Sequence, residues 1–192
     1  MFGKDKVEKL NKLLRKKFDI LYDFKFDGLL LFYGDSLRRV MMDLPVSEYT
    51  FILHNMDKGN VLDFFEKFKL VYEKVADNEY TFVYKKNSVR LFILNDLVKC
   101  SSLSIDFLFY DVQRQYFIPF GIKHIVKTRR IYDLKYIRPA KIDDGLDVIE
   151  KKNVAKQFVQ YLRGDKKRVR IITSGKLKYL ICRLLKFLKI KR

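Results

Sequence analysis

Five consecutive apolar residues, Leu29-Leu30-Leu31-Phe32-Tyr33, stand between Gly28 and Gly34, and they limit the architecture more than any other stretch. The run is too short for a helix and too apolar for a solvated strand, so it reads as a strand buried inside a sheet. Before it, Val7, Leu10, Leu14, Phe18 and Leu21 recur at helical spacing among lysines, predicting a leading helix over residues 4–18. After it, Asp35 or Ser36 is placed to cap a short helix through Met42, which Pro45 ends. Tyr49 to His54 reads as a second strand. Asp57 to Leu70 reads as a helix with Val61, Phe64, Phe65 and Phe68 on one side.

Downstream, Tyr80–Tyr84 and Val89–Leu94 flank Lys85-Lys86-Asn87-Ser88, a pattern expected of a hairpin with a four-residue loop. Leu103 to Tyr110 is expected as a further strand, followed by a turn over Asp111–Gln115, a short strand through Ile118 and a short helix over Ile122–Val126. Residues 137–145 read as a loop and 147–162 as a helix, with Gly164-Asp165 separating that helix from a basic C-terminal stretch. Strands and helices in this order imply an α+β fold with a mixed sheet and flanking helices. The expected organisation is a sheet domain over 1–135, a helical extension over 136–165 and a basic amphipathic tail over 166–192.

Charge narrows the function. The 192 residues hold 41 Lys+Arg against 23 Asp+Glu, a net charge of +18. From Lys166 to Arg192 there are eleven bases and no acid, so the rest of the chain carries only +7. Such a surface attracts polyanions, nucleic acid or acidic lipid. Charges interrupt every apolar stretch before the ~18 residues a bilayer span needs, and MFGKDKVEKL lacks the apolar core of a secretory signal. Cys100 and Cys182 are too distant in sequence to suggest a disulfide framework, which fits a reducing, cytoplasmic setting.

Several chemistries are excluded on spacing. His54, His124, Cys100 and Cys182 are too dispersed for a zinc site, and neither a Gly-x-Gly-x-x-Gly nor a Walker loop is present. Ser36 lies in Gly-Asp-Ser rather than in a nucleophile elbow, and His54 closes an apolar strand as a rim histidine would.

The segment Phe32-Tyr33-Gly34-Asp35-Ser36-Leu37-Arg38-Arg39, a helix, and then Pro45-Val46-Ser47-Glu48-Tyr49-Thr50 form a recognisable order. Later come Leu103 to Asp111, Ile118-Pro119-Phe120-Gly121 and Arg129-Arg130-Ile131. Together these resemble the head domain of class II nucleotidyltransferases, the CCA-adding tRNA nucleotidyltransferases and bacterial poly(A) polymerases. The resemblance covers residues 28–131 and implies a nucleotidyltransferase-like fold, with Gly34, Ser36 and Arg38 as nucleotide-binding positions. It also implies departures. The family's Gly-Gly-x-x-Arg-Asp here has Asp35 for the second glycine and Arg39 for the aspartate, and its Asp-x-Asp strand has Glu48 and Thr50. Two divalent ions need several converging carboxylates. Thr50 carries no charge, and Arg90 stands on the strand that would bring a further acid. The expectation is therefore a non-catalytic descendant without metal, in which Glu48 and Asp106 are solvated or paired with Arg38 and Arg90. The alternative is an active nucleotidyltransferase, with Glu48 and Asp106 on neighbouring strands rebuilding a Mg²⁺ site.

In the tail, Leu177, Leu180, Ile181, Leu184, Leu185 and Leu188 recur at helical spacing while Lys178, Arg183, Lys186 and Lys189 occupy other faces. With Lys166, Lys167, Arg168 and Arg170 these bases are candidates for binding RNA phosphates or acidic lipid. The expected partner is RNA. The alternatives are an anionic inner membrane face engaged through 176–192, as in nucleotidyltransferase-like proteins of cell-surface polysaccharide assembly, or a helix that completes the core.

Overall fold

Leu29–Tyr33 forms β1, and in the computed structural model, which describes residues 2–97, 103–134 and 147–172, it lies inside a seven-stranded sheet. Ahead of it come α1 (Lys4–Lys17) and α2 (Ile20–Asp23). Then come α3 (Gly34–Met41), β2 (Glu48–His54), α4 (Lys58–Lys67), β3 (Tyr72–Ala76), β4 (Glu79–Tyr84) and β5 (Asn87–Leu94). A 3-10 turn (Ser104–Phe107) precedes β6 (Leu108–Asp111), β7 (Tyr116–Pro119), α5 (Ile122–Thr128) and β8 (Arg130–Tyr132), and α6 (Val148–Arg163) precedes β9 (Arg170–Ile172). The strand order is β3-β4-β5-β2-β1-β6-β7, antiparallel throughout except for β2 beside β5. The mixed α+β sheet expected from the sequence is present. Strands β8 and β9 make a separate parallel pair.

Burial on both faces explains the uninterrupted apolar run. Leu30 and Phe32 point into the main core, where Phe51 and Leu53 of β2 and Leu14 and Phe18 of the first helical segment join them. Leu31 and Tyr33 alternate onto the other face and meet Ile52, Phe92 and Phe109. Each fully buried side chain of this kind contributes about 1.5–3 kcal/mol of transfer free energy. Helix α4 closes the core over β4 with Phe64 and Phe65, whose rings lie 6.2 and 5.7 Å from Phe82. Helix α6 buries Val154, Ala155, Phe158 and Val159, and three of them enter the same core as the sheet residues.

The structure departs from the sequence expectation at several elements. The hairpin between β4 and β5 turns in two residues, because Asn87 pairs with Tyr84 and both Asn87 and Ser88 belong to β5. Lys85 and Lys86 consequently adopt left-handed backbone angles, φ 46° and 65°. Leu103 to Tyr110 is not one strand, since a 3-10 turn occupies Ser104–Phe107 and pairing begins at Leu108. Helix α3 has no side-chain cap from Asp35 or Ser36 and starts at Gly34, whose φ of 71° redirects the chain. Strands β3, β8 and β9 are additional. The loop expected over 137–145 lies outside the described residues.

Gly28 is required by contact rather than by torsion. A Cβ there would stand 2.3 Å from the His54 carbonyl oxygen and 2.8 Å from that of Asn55, both backbone atoms at the end of β2. Gly28→Ala is expected to force β1 away from β2 and cost about 1–3 kcal/mol, as overpacking does, read from the midpoint of a urea unfolding curve.

Candidate functional site

The end of β1 and the start of β2 meet because Ser36 joins them. Its hydroxyl donates to the Tyr33 carbonyl at 3.0 Å and accepts from the Thr50 amide at 3.1 Å. The first turn of α3 is thereby fastened to β2, and Ser36 acts as a staple between elements rather than as a helix cap. The parallel register sets Glu48 beside Ser88 and Thr50 beside Arg90. Glu48 and Thr50 share one face of β2, as residues two apart in a strand do.

Two ion-pair networks occupy this region. On the sheet, Arg90 Nε lies 3.1 Å from Glu48 Oε2 and 3.5 Å from Glu79 Oε1. One guanidinium therefore stands between two carboxylates. Behind the first turn of α3, Arg38 Nη1 donates to Asp106 Oδ1 at 2.5 Å, and Arg38 Nη2 lies 3.5 Å from Asp35 Oδ1. The second oxygen of Asp106 accepts from the Leu103 amide at 2.8 Å, which fastens the 3-10 turn. Asp35 also accepts from Arg39 Nε at 2.5 Å, and Arg39 reaches across to Glu150 on α6. Burial alone would lower the Arg39 pKa, but Asp35 and Glu150 outweigh it and hold the guanidinium above its ordinary value.

The sequence candidates are thus partly gathered and partly separated. Gly34, Ser36 and Arg38 lie together at the β1–α3 junction. Glu48 and Asp106 take the arginine partners anticipated for them, but not on neighbouring strands. Asp106 sits in the turn before β6, and β6 pairs with β1 rather than with β2. Among the described residues no cluster of three or more His, Cys, Asp or Glu side chains could hold a metal ion. Glu79 and Glu150 carry no signal in the sequence. Neither stands in a motif, and Glu150 reaches its partner across 111 positions. His54 donates from Nδ1 to the Leu94 carbonyl oxygen, 2.8 Å away, as a rim histidine.

Of the basic candidates, Lys166, Lys167 and Arg168 are exposed on the segment between α6 and β9, and Arg170 is exposed at the first position of β9. Asp165 anchors that segment, at 2.7 Å from Arg129 and 3.1 Å from Arg163, and these hydrogen bonds hold its carboxyl far below the usual range. Lys178, Arg183, Lys186 and Lys189 lie outside the described residues. No helix among the described residues is long and apolar enough to cross a membrane.

Solved structures share this architecture. A tRNA-processing enzyme in an apo form superposes with a TM-score of 0.50 at 9% identity, over 85% of this chain and 48% of that one. A CCA-adding enzyme with ATP gives 0.51 at 14% identity, over 97% and 43%. The Thermotoga maritima CCA-adding enzyme complexed with tRNA gives 0.51 at 14%, again over 97% and 43%. At such identities the likeness is one of fold: the chain has the fold of the CCA-adding, tRNA nucleotidyltransferase head domain over most of its length. It spans less than half the length of these structures. No protein-family model and no curated protein sequence matches it.

Arg38→Gln is expected to strand the buried carboxylates of Asp35 and Asp106 and cost about 3–5 kcal/mol. Equilibrium urea unfolding at neutral pH measures the loss. A variant as stable as the wild type would show that the pair carries no structural weight.

Proposed function

We propose that this chain is a nucleotidyltransferase-fold protein without metal-dependent catalysis that binds an anionic partner, RNA. The observation that carries the reading is the position of Arg90 between Glu48 and Glu79. A divalent ion needs converging carboxylate oxygens that are free to approach it. Here the carboxylate at the first position of the Asp-x-Asp pattern faces a guanidinium, and the second position is the uncharged Thr50.

The phosphate cradle supports the same reading. A triphosphate at the β1–α3 junction would need Arg38 and a close backbone approach. Arg38 is held by Asp106 and Asp35, both buried, and Asp35 places a negative charge where the family has glycine. Freeing Arg38 for a nucleotide would strand two carboxylates away from water, a cost far above that of an ordinary side-chain rotation. Mg²⁺ enters the proposal only if the active alternative holds.

Positive charge and kinship in fold favour RNA. A CCA-adding enzyme of the same fold forms a complex with tRNA, and the excess of bases over acids in this chain favours a phosphate backbone.

Mg²⁺ with ATP is expected to leave the thermal midpoint unchanged, and no labelled nucleotide should be added to an RNA primer. Stabilisation or incorporation that disappears in Glu48→Gln or Asp106→Asn would establish the active enzyme instead.

Binding to a labelled RNA 20-mer is expected to weaken steeply with salt and to fall when residues 176–192 are removed. Retention on vesicles of anionic lipid through that same segment, without RNA binding, would replace RNA by a membrane surface as the partner.

A further inference from the structure

The turn between β4 and β5 is built from residues that disfavour it. Two-residue hairpin turns with positive φ at both central positions select Asn-Gly, because a Cβ crowds the backbone there. This chain has Lys85 and Lys86 at those positions, with φ 46° and 65°. Backbone conformations that cost stability persist where the side chains they display have another use.

The turn is also immobilised against the end of α1. Asp19, just past that helix, accepts from Lys85 Nζ at 2.7 Å and from the Tyr84 hydroxyl at 2.8 Å. Lys17 Nζ donates to Asn87 Oδ1 at 2.9 Å, and Asn87 returns hydrogen bonds to the carbonyls of Tyr84 and Lys85. Asp19 is spent on Lys85. Among the described residues no carboxylate forms an ion pair with Lys12, Lys16, Lys17 or Lys86. Lys12 and Lys16 are exposed and one turn apart on α1, which places them on the same side of the helix, about 6 Å apart along its axis.

From these exposed, unneutralised lysines on two elements that the Lys85–Asp19 and Lys17–Asn87 contacts tie together, we infer a phosphate-binding surface formed by the end of α1 and the β4–β5 turn, to which an RNA backbone docks. The surface uses none of the bases of the C-terminal stretch and none of the residues of the β1–α3 junction. It rests on RNA being the partner. A backbone of phosphates needs only cations held at fixed places, and gains affinity by releasing counterions. A lipid interface also wants apolar side chains beside the cations. The rings nearest these cations lie beneath them instead: Lys17 sits 5.1 Å over Tyr49, Arg15 4.9 Å over Tyr22 and Lys85 5.2 Å over Tyr84. The exposed Val83 alternates onto the opposite face of the hairpin from Tyr84.

The test uses the full chain with Lys12→Gln, Lys16→Gln and Lys86→Gln combined, beside a control of equal charge change, Lys58→Gln, Lys123→Gln and Lys127→Gln. All six lysines are exposed. Anisotropy of a labelled single-stranded RNA 20-mer is measured over a salt series. Loss of three phosphate contacts should flatten the plot of log K against log salt by about 2, at roughly 0.7 per contact, while the control keeps the wild-type slope. Equal slopes in the two variants would overturn this surface and leave the RNA reading standing. A wild-type protein that fails to bind RNA would overturn both. Loss of retention on anionic vesicles with an unchanged RNA slope would reassign the surface to lipid and overturn the proposal. Lys86→Gly adds a readout that a structural role does not produce: a higher urea midpoint together with weaker RNA binding. A stabilised variant with full RNA affinity counts against it.

Discussion

Arg38 is 2% exposed and holds Asp106 and Asp35 on one guanidinium, and through them it fixes three pieces of the fold. Asp106 carries the turn that leads into β6, Asp35 carries the first turn of α3, and Arg39 extends the cluster to Glu150 on α6. Charges this deep are stable only when every partner is in place, because removing one leaves another unpaired in a poorly polarisable interior. The β1–α3 junction is therefore also linked to α6. Arg38 is engaged on both sides by buried carboxylates of the fold itself.

The second network works differently. Arg90, Glu48 and Glu79 belong to adjacent strands and are only partly buried, so water and salt moderate their attraction. Its consequence is chemical rather than energetic: a fixed positive charge stands beside the carboxylate a metal would approach. A cation there must displace Arg90 or share Glu48 with it, and either course forfeits much of the attraction that selects divalent ions. The sheet that carries these charges is built by the apolar alternation beneath them and does not depend on them.

Legibility in the sequence depends on how local each cause is. The strand at Leu29–Tyr33, the helices over α1 and α4 and the Gly34 break are local, and periodicity or punctuation reports them. The turn at Lys85-Lys86 reads too long because two lysines give no sign of positive φ; only the Tyr84–Asn87 pairing establishes it. The 3-10 turn at Ser104–Phe107 reads as strand because its residues suit a strand equally well, and the hydrogen bond between the Leu103 amide and Asp106 decides otherwise. Strand β3 is exposed along its whole length, so it has no alternation to detect, and it forms because β4 offers it an edge.

The order of residues along the chain is enough to specify the buried central strand, the α+β succession, the concentration of positive charge toward the C-terminus and the presence of Asp35, Glu48 and Thr50 where the family it resembles has glycine and two aspartates. Those features arise from composition and spacing, which act over a few residues. Packing in three dimensions was needed to choose which arginine neutralises which acid, to bring Glu79 and Glu150 into the networks, and to clamp the end of α1 to a lysine turn nearly seventy positions away. Such pairings depend on distances set by the packing of the whole sheet. Charge in a sequence has sign but no direction, and only folding aims it.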